Sequence, residues 1–213
     1  SVRVCSCTGE VACTSVGKHP RTQQGFKAAT TDETIIRDWW AKWPKANIGI
    51  ATGKKSGLVV IDVDPRNGGD ESLRQLEDIH GELLSGLIVQ TGGGQHIYFT
   101  YPDGGIGLRS CDLADGVEVK ADGRYVVAPP SLHASGKEYR WATSDSHTVV
   151  PSPMPEWLVD MILKPKPATG SSISIINEIP EGARNATLTS WAGTMRRKGF
   201  EPNELLPSLN AVN

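Results

Sequence analysis

A chain of 213 residues, 38% of them hydrophobic and 22% charged, has the composition of an ordinary soluble globular protein with one good core and room for an appendage. No apolar run approaches a membrane span and no signal peptide opens the sequence, so no membrane-spanning helix is expected in these residues. The formal net charge of −2 argues at first against nucleic acid, but residues 1–57 carry nine Lys/Arg against four Asp/Glu, and residues 58–213 thirteen against twenty. A basic front beside an acidic remainder suits a site that handles phosphates.

The opening, SVRVCSC, offers no helix or strand before its first cysteines, and the expectation is of a chain that begins inside a domain. Three of the four cysteines, Cys5, Cys7 and Cys13, crowd into nine residues and are followed by His19. Thiolate and imidazole in a Gly/Ser/Thr-rich loop suit tetrahedral Zn²⁺, so these four residues are candidate ligands of a structural zinc knuckle. The spacing is not the usual C-x2-C pair, and ordinary reduced cysteines are the alternative. Lys18 and Arg21 place two cations beside this group.

A helix is expected to start at Thr31-Asp32-Glu33, with acids in its first turn, and to stop at Pro44. Ile35, Ile36, Trp39, Trp40 and Trp43 recur along it at three-to-four-residue spacing. Three tryptophans invite base stacking, but on an amphipathic helix the expectation is that they belong to the core. Asn47–Thr52 and Leu58–Val63 read as two strands joined by a hairpin-type turn at Gly53–Gly57. Glu71–Leu84 reads as a helix with Leu73, Leu76, Ile79, Leu83 and Leu84 on its apolar side. Leu87–Gln90 is a short strand leading into Thr91-Gly92-Gly93-Gly94-Gln95-His96, and His96 opens the next strand.

Gly116–Lys120 alternates as a strand with Glu118 between Val117 and Val119, Asp122-Gly123 makes a turn, and Tyr125–Ala128 returns to Pro129-Pro130-Ser131. His133 follows, then a strand-like run at Gly136–Trp141 and a short helix at Pro155–Leu163. Lys164–Ser172 reads as a linker. Beyond it Ala183–Gly199 and Pro202–Leu209 are helical in pattern and look like the start of a second unit cut short.

The run LVVIDVDP at Leu58–Pro65 carries the chemistry. Alternation along a strand puts Asp62 and Asp64 on one face, about 7 Å apart at their Cα atoms, and Ile61 and Val63 on the other. Glu118 supplies a third carboxylate on a neighbouring strand candidate. Carboxylates bind hard cations through oxygen, and two such cations clamp an in-line displacement at phosphorus. The three glycines let backbone N–H groups approach an anion closely, and a histidine just beyond them can donate to a phosphate oxygen. Neither a Walker loop nor a dinucleotide fingerprint is present, since the loop leads into a strand and lacks GK[ST]. The constellation is that of a nucleotidyltransferase.

The order IDVDP, TGGGQH and GVEVKADGRYVVAPPSLHASGKEYRW, preceded by C-x-C…C…GKHP, TTDETIIRDWW and NIGIATG, resembles the primase–polymerase (prim-pol) branch of the archaeo-eukaryotic primase superfamily. The resemblance runs from Cys5 to about Trp141, and residues 179–213, with PEGARNATLTSWAG and RRKGF, resemble the start of a primase C-terminal domain. It implies an α+β fold in which a mixed or antiparallel sheet is flanked by helices, with the zinc knuckle at its edge and a short helical tail. The domains would be a catalytic one over 1–163, a linker over 164–178 and a partial helical one over 179–213. The resemblance further implies that Asp62 and Asp64 are paired acids for catalytic Mg²⁺ or Mn²⁺, with Glu118 as the third acid where many relatives carry aspartate. Asp122 is the fallback for that third acid.

On the same basis His96 would contact the triphosphate of the incoming nucleotide, and Gly93, Gly94, Lys120, Ser131 and His133 would line the nucleotide pocket. The implied partners are single-stranded DNA template and primer, dNTP or NTP, and a helicase in the same full-length chain or replisome, with no membrane. The implied setting is replication of a phage, plasmid or other mobile element in the cytoplasm of a bacterial or phage-infected cell. Two rival readings remain: a metal-dependent nuclease using Asp62, Glu118 and Lys120 as a D…ExK site, and a catalytically inert nucleic-acid-binding module.

Overall fold

The structure, a computed structural model, describes residues 13, 15–104, 106–142 and 150–163. The chain divides into two units, Ser1–Pro165 and Lys166–Asn213. The linker and tail expected after residue 163, and the cysteines at 5 and 7, lie outside the described residues.

The first helix, α1 (Glu33–Lys42), forms where the sequence places it: Asp32 caps it by accepting from the N–H groups of Thr34 and Ile35 at 2.9 and 3.2 Å. The expected core face does not materialise. No residue of α1 is buried, and Trp40 is 37% exposed. Its tryptophans, Trp39 and Trp40, together with Trp43, line an open cavity instead.

Strand β1 (Ile48–Ala51) and strand β2 (Leu58–Val63) follow as expected, but not as a hairpin. A single bridge, Gly53 to Leu58, is all that joins their ends. β1 pairs antiparallel with β7 (Tyr125–Ala128), while β2 enters the larger sheet. The turn residues were legible; the partner was not, because strand pairing is settled by long-range packing.

The remaining strands are β3 (Ile88–Gln90), β4 (Gln95–Thr100), β5 (Cys111–Ala114), β6 (Val117–Lys120), β8 (Arg140–Trp141) and β9 (Ser152–Pro153). Among the described residues the larger sheet runs β5-β6-β2-β4-β3-β8, antiparallel throughout, and β9 adds a parallel pairing to β4. β5 and β9 were not expected from the sequence, and the Gly136–Trp141 run contracts to two strand residues.

Two apolar clusters sandwich this sheet. On one face Val59, Ile61 and Val63 of β2 pack with Leu73 and Leu76 of α2 (Gly69–His80) and Leu158 of α3 (Glu156–Leu163). The ring of His80 stacks on Trp157 at 4.9 Å between centroids, joining the two helices. α2 stops at Gly81, three residues before the expected end, leaving Ile79 and Leu84 exposed while Leu83 stays buried. On the other face Val60, Val89 and Tyr98 pack with Val126 and Val127 of the small β1–β7 sheet. The fold is therefore mixed α+β, with helices on one side and a second sheet on the other. No described helix is long and apolar enough to cross a membrane.

Candidate active site

The candidate residues fall on the β2 face turned away from the helices. In the ladder Asp62 stands directly opposite His96 of β4 on one side and Glu118 of β6 on the other. Glu118, Asp62 and His96 thus form one row across three strands, with neighbouring Cβ atoms about 5 Å apart. Lys120, two residues from Glu118, lies on the same face. Its ammonium donates to Glu118 Oε2 and stands 3.6 Å from Asp62 Oδ2. A cation already bridges the two carboxylates, which shows that this pair of oxygen donors attracts positive charge.

Asp64 lies just past the end of β2, in extended backbone. Its carboxylate is closed by a fork: Arg66 Nε donates to Oδ1 at 2.9 Å and Arg66 Nη2 to Oδ2 at 2.8 Å. Asn67 Nδ2 adds a third bond at 3.0 Å, and the Arg66 N–H a fourth at 3.0 Å, which caps the single 3-10 turn Pro65–Asn67. The Arg66 hydrogen bonds hold the Asp64 carboxyl below the usual carboxylate range, with its burial opposing them. Among the described residues no group of three metal-ligating side chains is found. Asp62 and Glu118 are oxygen donors suited to a hard divalent cation, whereas the Asp64 carboxylate is held by Arg66 and Asn67.

His96 is 6% exposed, and its Nε2 lies 3.6 Å from Asp62 Oδ1. Burial drives its pKa down from 6.5 to about 4 against the pull of Asp62, with Lys18 and Lys120 adding to the depression. His96 Nδ1 and the Tyr98 hydroxyl, whose titration burial pushes up, are buried without a hydrogen-bond partner among the described residues.

The glycine loop is shaped by close approach. A Cβ at Gly92 would come within 2.0 Å of the His133 ring, and one at Gly94 within 2.0 Å of the Val63 carbonyl oxygen. The N–H groups of Gly93 and Gly94 donate to Thr91 Oγ1 at 3.3 and 2.9 Å, so they close the loop and do not face open solvent as anion donors. Gly93 lies under the Arg66 guanidinium, its ideal Cβ 3.7 Å from Nε. Arg66 therefore touches both the acid end of β2 and the loop, a role the sequence reading passed over. The signal was available: an aspartate followed by Pro-Arg-Asn is an Asx-turn pattern that brings the arginine back to the carboxylate.

The other candidates divide. Ser131 is 3% exposed; its Oγ accepts the Ile48 N–H at 2.9 Å and its carbonyl accepts the Tyr139 N–H, so it fastens β1 to this loop. His133 Nδ1 is engaged by Ser135. Asp122, the fallback acid, accepts from Lys54 N at 2.8 Å and from the Tyr101 hydroxyl at 2.9 Å, at the opposite end of β2 from Asp64. Cys13 Sγ and His19 Nε2 are 3.1 Å apart.

This sheet face thus carries two paired carboxylates, a lysine between them and a buried histidine beside them. The chain belongs to the family described as bifunctional DNA primase/polymerase, N-terminal, which matches residues 3–157. Residues 172–213 match the description primase C terminal 1. The search of curated proteins gave no match.

Two outcomes follow from these geometries. Because the unfolded chain protonates His96 near 6.5 and the folded chain only near 4, stability falls as pH drops through that window. His96→Asn should flatten the window, removing about 3 kcal/mol of pH-dependent loss, as read by chemical denaturation at pH 4 and 7. In Arg66→Gln the Asp64 carboxyl should titrate higher than in the native protein, as read by NMR of the side-chain carboxyl. The Arg66 contribution to stability is present above the unfolded Asp pKa and is lost as pH falls through the folded one.

Proposed function

We propose that the chain is a template-directed nucleotidyltransferase, a DNA primase and DNA polymerase that forms phosphodiester bonds from nucleoside triphosphates. The observation that carries this reading is the row Glu118–Asp62–His96 on one sheet face, in a chain of the primase/polymerase family. Asp62 and Glu118, with Asp64 once it is released, would hold Mg²⁺ or Mn²⁺. When bound, such cations activate the primer 3′-hydroxyl and neutralise the triphosphate. The 3′-oxygen attacks the α-phosphorus, the bond to the bridging oxygen breaks, and pyrophosphate leaves.

The chain's own residues prepare that step. Lys120 neutralises the acid row, and Asp62 and Glu118 would be the residues to hold a divalent ion there. Arg66 holds Asp64 and lies over the glycine loop, so a triphosphate arriving there offers the guanidinium a second anion. His96 rests neutral; a polyanion alongside favours its imidazolium and offsets the burial that now depresses it. The tight glycine contacts position the loop against His133 and the end of β2.

The setting we propose is replication of a phage, plasmid or other mobile element, with single-stranded DNA as template and a helicase as partner. We also propose that Cys13 and His19, with Cys5 and Cys7, hold a structural zinc; the adjacency of the Cys13 sulfur and the His19 ring nitrogen supports this.

Asp62→Asn and Glu118→Gln should each lower extension of a primed template by about a hundredfold or more while the fold is kept, as read by gel assay in Mg²⁺ and in Mn²⁺. A native protein that shortens the labelled primer would favour the nuclease reading. One that binds DNA without changing its length would favour the inert module. Elemental analysis of the purified protein should give about one zinc per chain, and metal-free protein would refute the knuckle.

A further inference from the structure

The tryptophans of α1 do not fill a core. Trp39, Trp40 and Trp43 line a cavity of about 390 Å³, within the range that encloses a small ligand. Its other walls include Lys18, Arg21 and Lys45, and among the described residues lining it there is no Asp or Glu. Aromatic faces with cations of one sign around them complement bases and phosphates. Lys42 Nζ stands 4.8 Å over the Trp43 ring and adds a further cation at the edge.

The position of the cavity narrows the ligand. Gly49, Ala51 and Tyr125 line it from the small sheet, whereas Ile50 and Val126 of the same strands pack into the core beneath the acid row. The β1–β7 ladder thus stands between the cavity and Asp62. A strand, being longer than one nucleotide, can lie in the cavity and still reach the acid row around the edge of that ladder. The two places are connected at the rim. Asn47 donates to the Gly17 and Leu132 carbonyls at 3.0 and 2.9 Å and accepts the Leu132 N–H at 3.0 Å. Lys18, on the cavity wall, is tied to the small sheet by its carbonyl, which accepts from the Tyr125 hydroxyl at 2.7 Å.

We propose that this cavity receives bases of the single-stranded DNA template outside the catalytic row, stacking them on the α1 tryptophans while Lys18, Arg21 and Lys45 meet the backbone phosphates. The inference rests on the polymerase reading above and names the template site that reading requires. Stacking tolerates every base, so binding there is independent of sequence and steeply dependent on salt.

The test is fluorescence anisotropy of labelled oligothymidine and oligoadenine with the full chain, without divalent metal and without nucleotide. Trp40→Ala should weaken both oligonucleotides about tenfold. Lys45→Gln should lower the slope of log affinity against log salt by about one and leave near-UV circular dichroism unchanged. Affinity for free dTTP with Mg²⁺ should be unaltered in both variants. Unchanged oligonucleotide affinity in both variants would overturn the proposal, as would a capture of peptide but not of oligonucleotide by the native cavity. Native protein that binds oligonucleotide through Trp40 yet never extends a primer would instead overturn the polymerase reading alone.

Discussion

The register of β2 is the constraint on which the rest depends. Val59, Ile61 and Val63 are fully buried against α2 and α3, and this apolar side fixes which residues face the other way. A slip of one residue would drive Asp62 into that core and turn Ile61 toward the acid row. Pairing on both sides then brings Glu118 and His96 opposite Asp62 with no freedom left. The helices α2 and α3 pack on the opposite face, yet their leucines decide where the row stands.

That row places like charges side by side on half-buried surface, which is unfavourable unless something offsets them. Each acid has its own answer. Lys120 joins Asp62 and Glu118, and Arg66 with Asn67 closes Asp64. The glycine loop is closed the same way, its N–H groups satisfied by Thr91. Among the described residues, the buried side-chain polar atoms left without a partner are His96 Nδ1 and the Tyr98 hydroxyl. A ligand that meets the acids or the glycine loop must therefore exchange these partners, while His96 Nδ1 and the Tyr98 hydroxyl stand open to it. The net gain of such an exchange is the difference between two charge-assisted sets, which keeps binding selective for ligands of high charge.

Much of this was legible in the chain. The apolar run ending in Asp-x-Asp, the alternation around Glu118 and the glycines before His96 are local patterns, and each maps to an element or turn where the residues predict it. What was not legible is what long-range contact decides. β1 left its sequence neighbour for β7, and Ser131, a polar residue in a proline-rich loop, turned out to fasten β1. Asp122 resembled an acid of the site by type and distance along the chain, but the antiparallel run of β6 carries it to the far end of β2.

The tryptophans of α1 show the limit of periodicity most plainly. A stripe at helical spacing reports that one side of a helix is apolar, not what covers that side. Here the tryptophans of the stripe face a cavity lined also by the small sheet, and cations from the 16–22 loop and from Lys45 rim it. Burying a cation beside an apolar stripe would be costly, so Lys18, Arg21 and Lys45 keep the cavity from collapsing into a core. Composition had hinted at this, since the excess of positive charge lies in residues 1–57, the same segment that carries the tryptophans. The basic front and the acidic strand face are thus two sides of one unit, separated by the thickness of a two-stranded ladder.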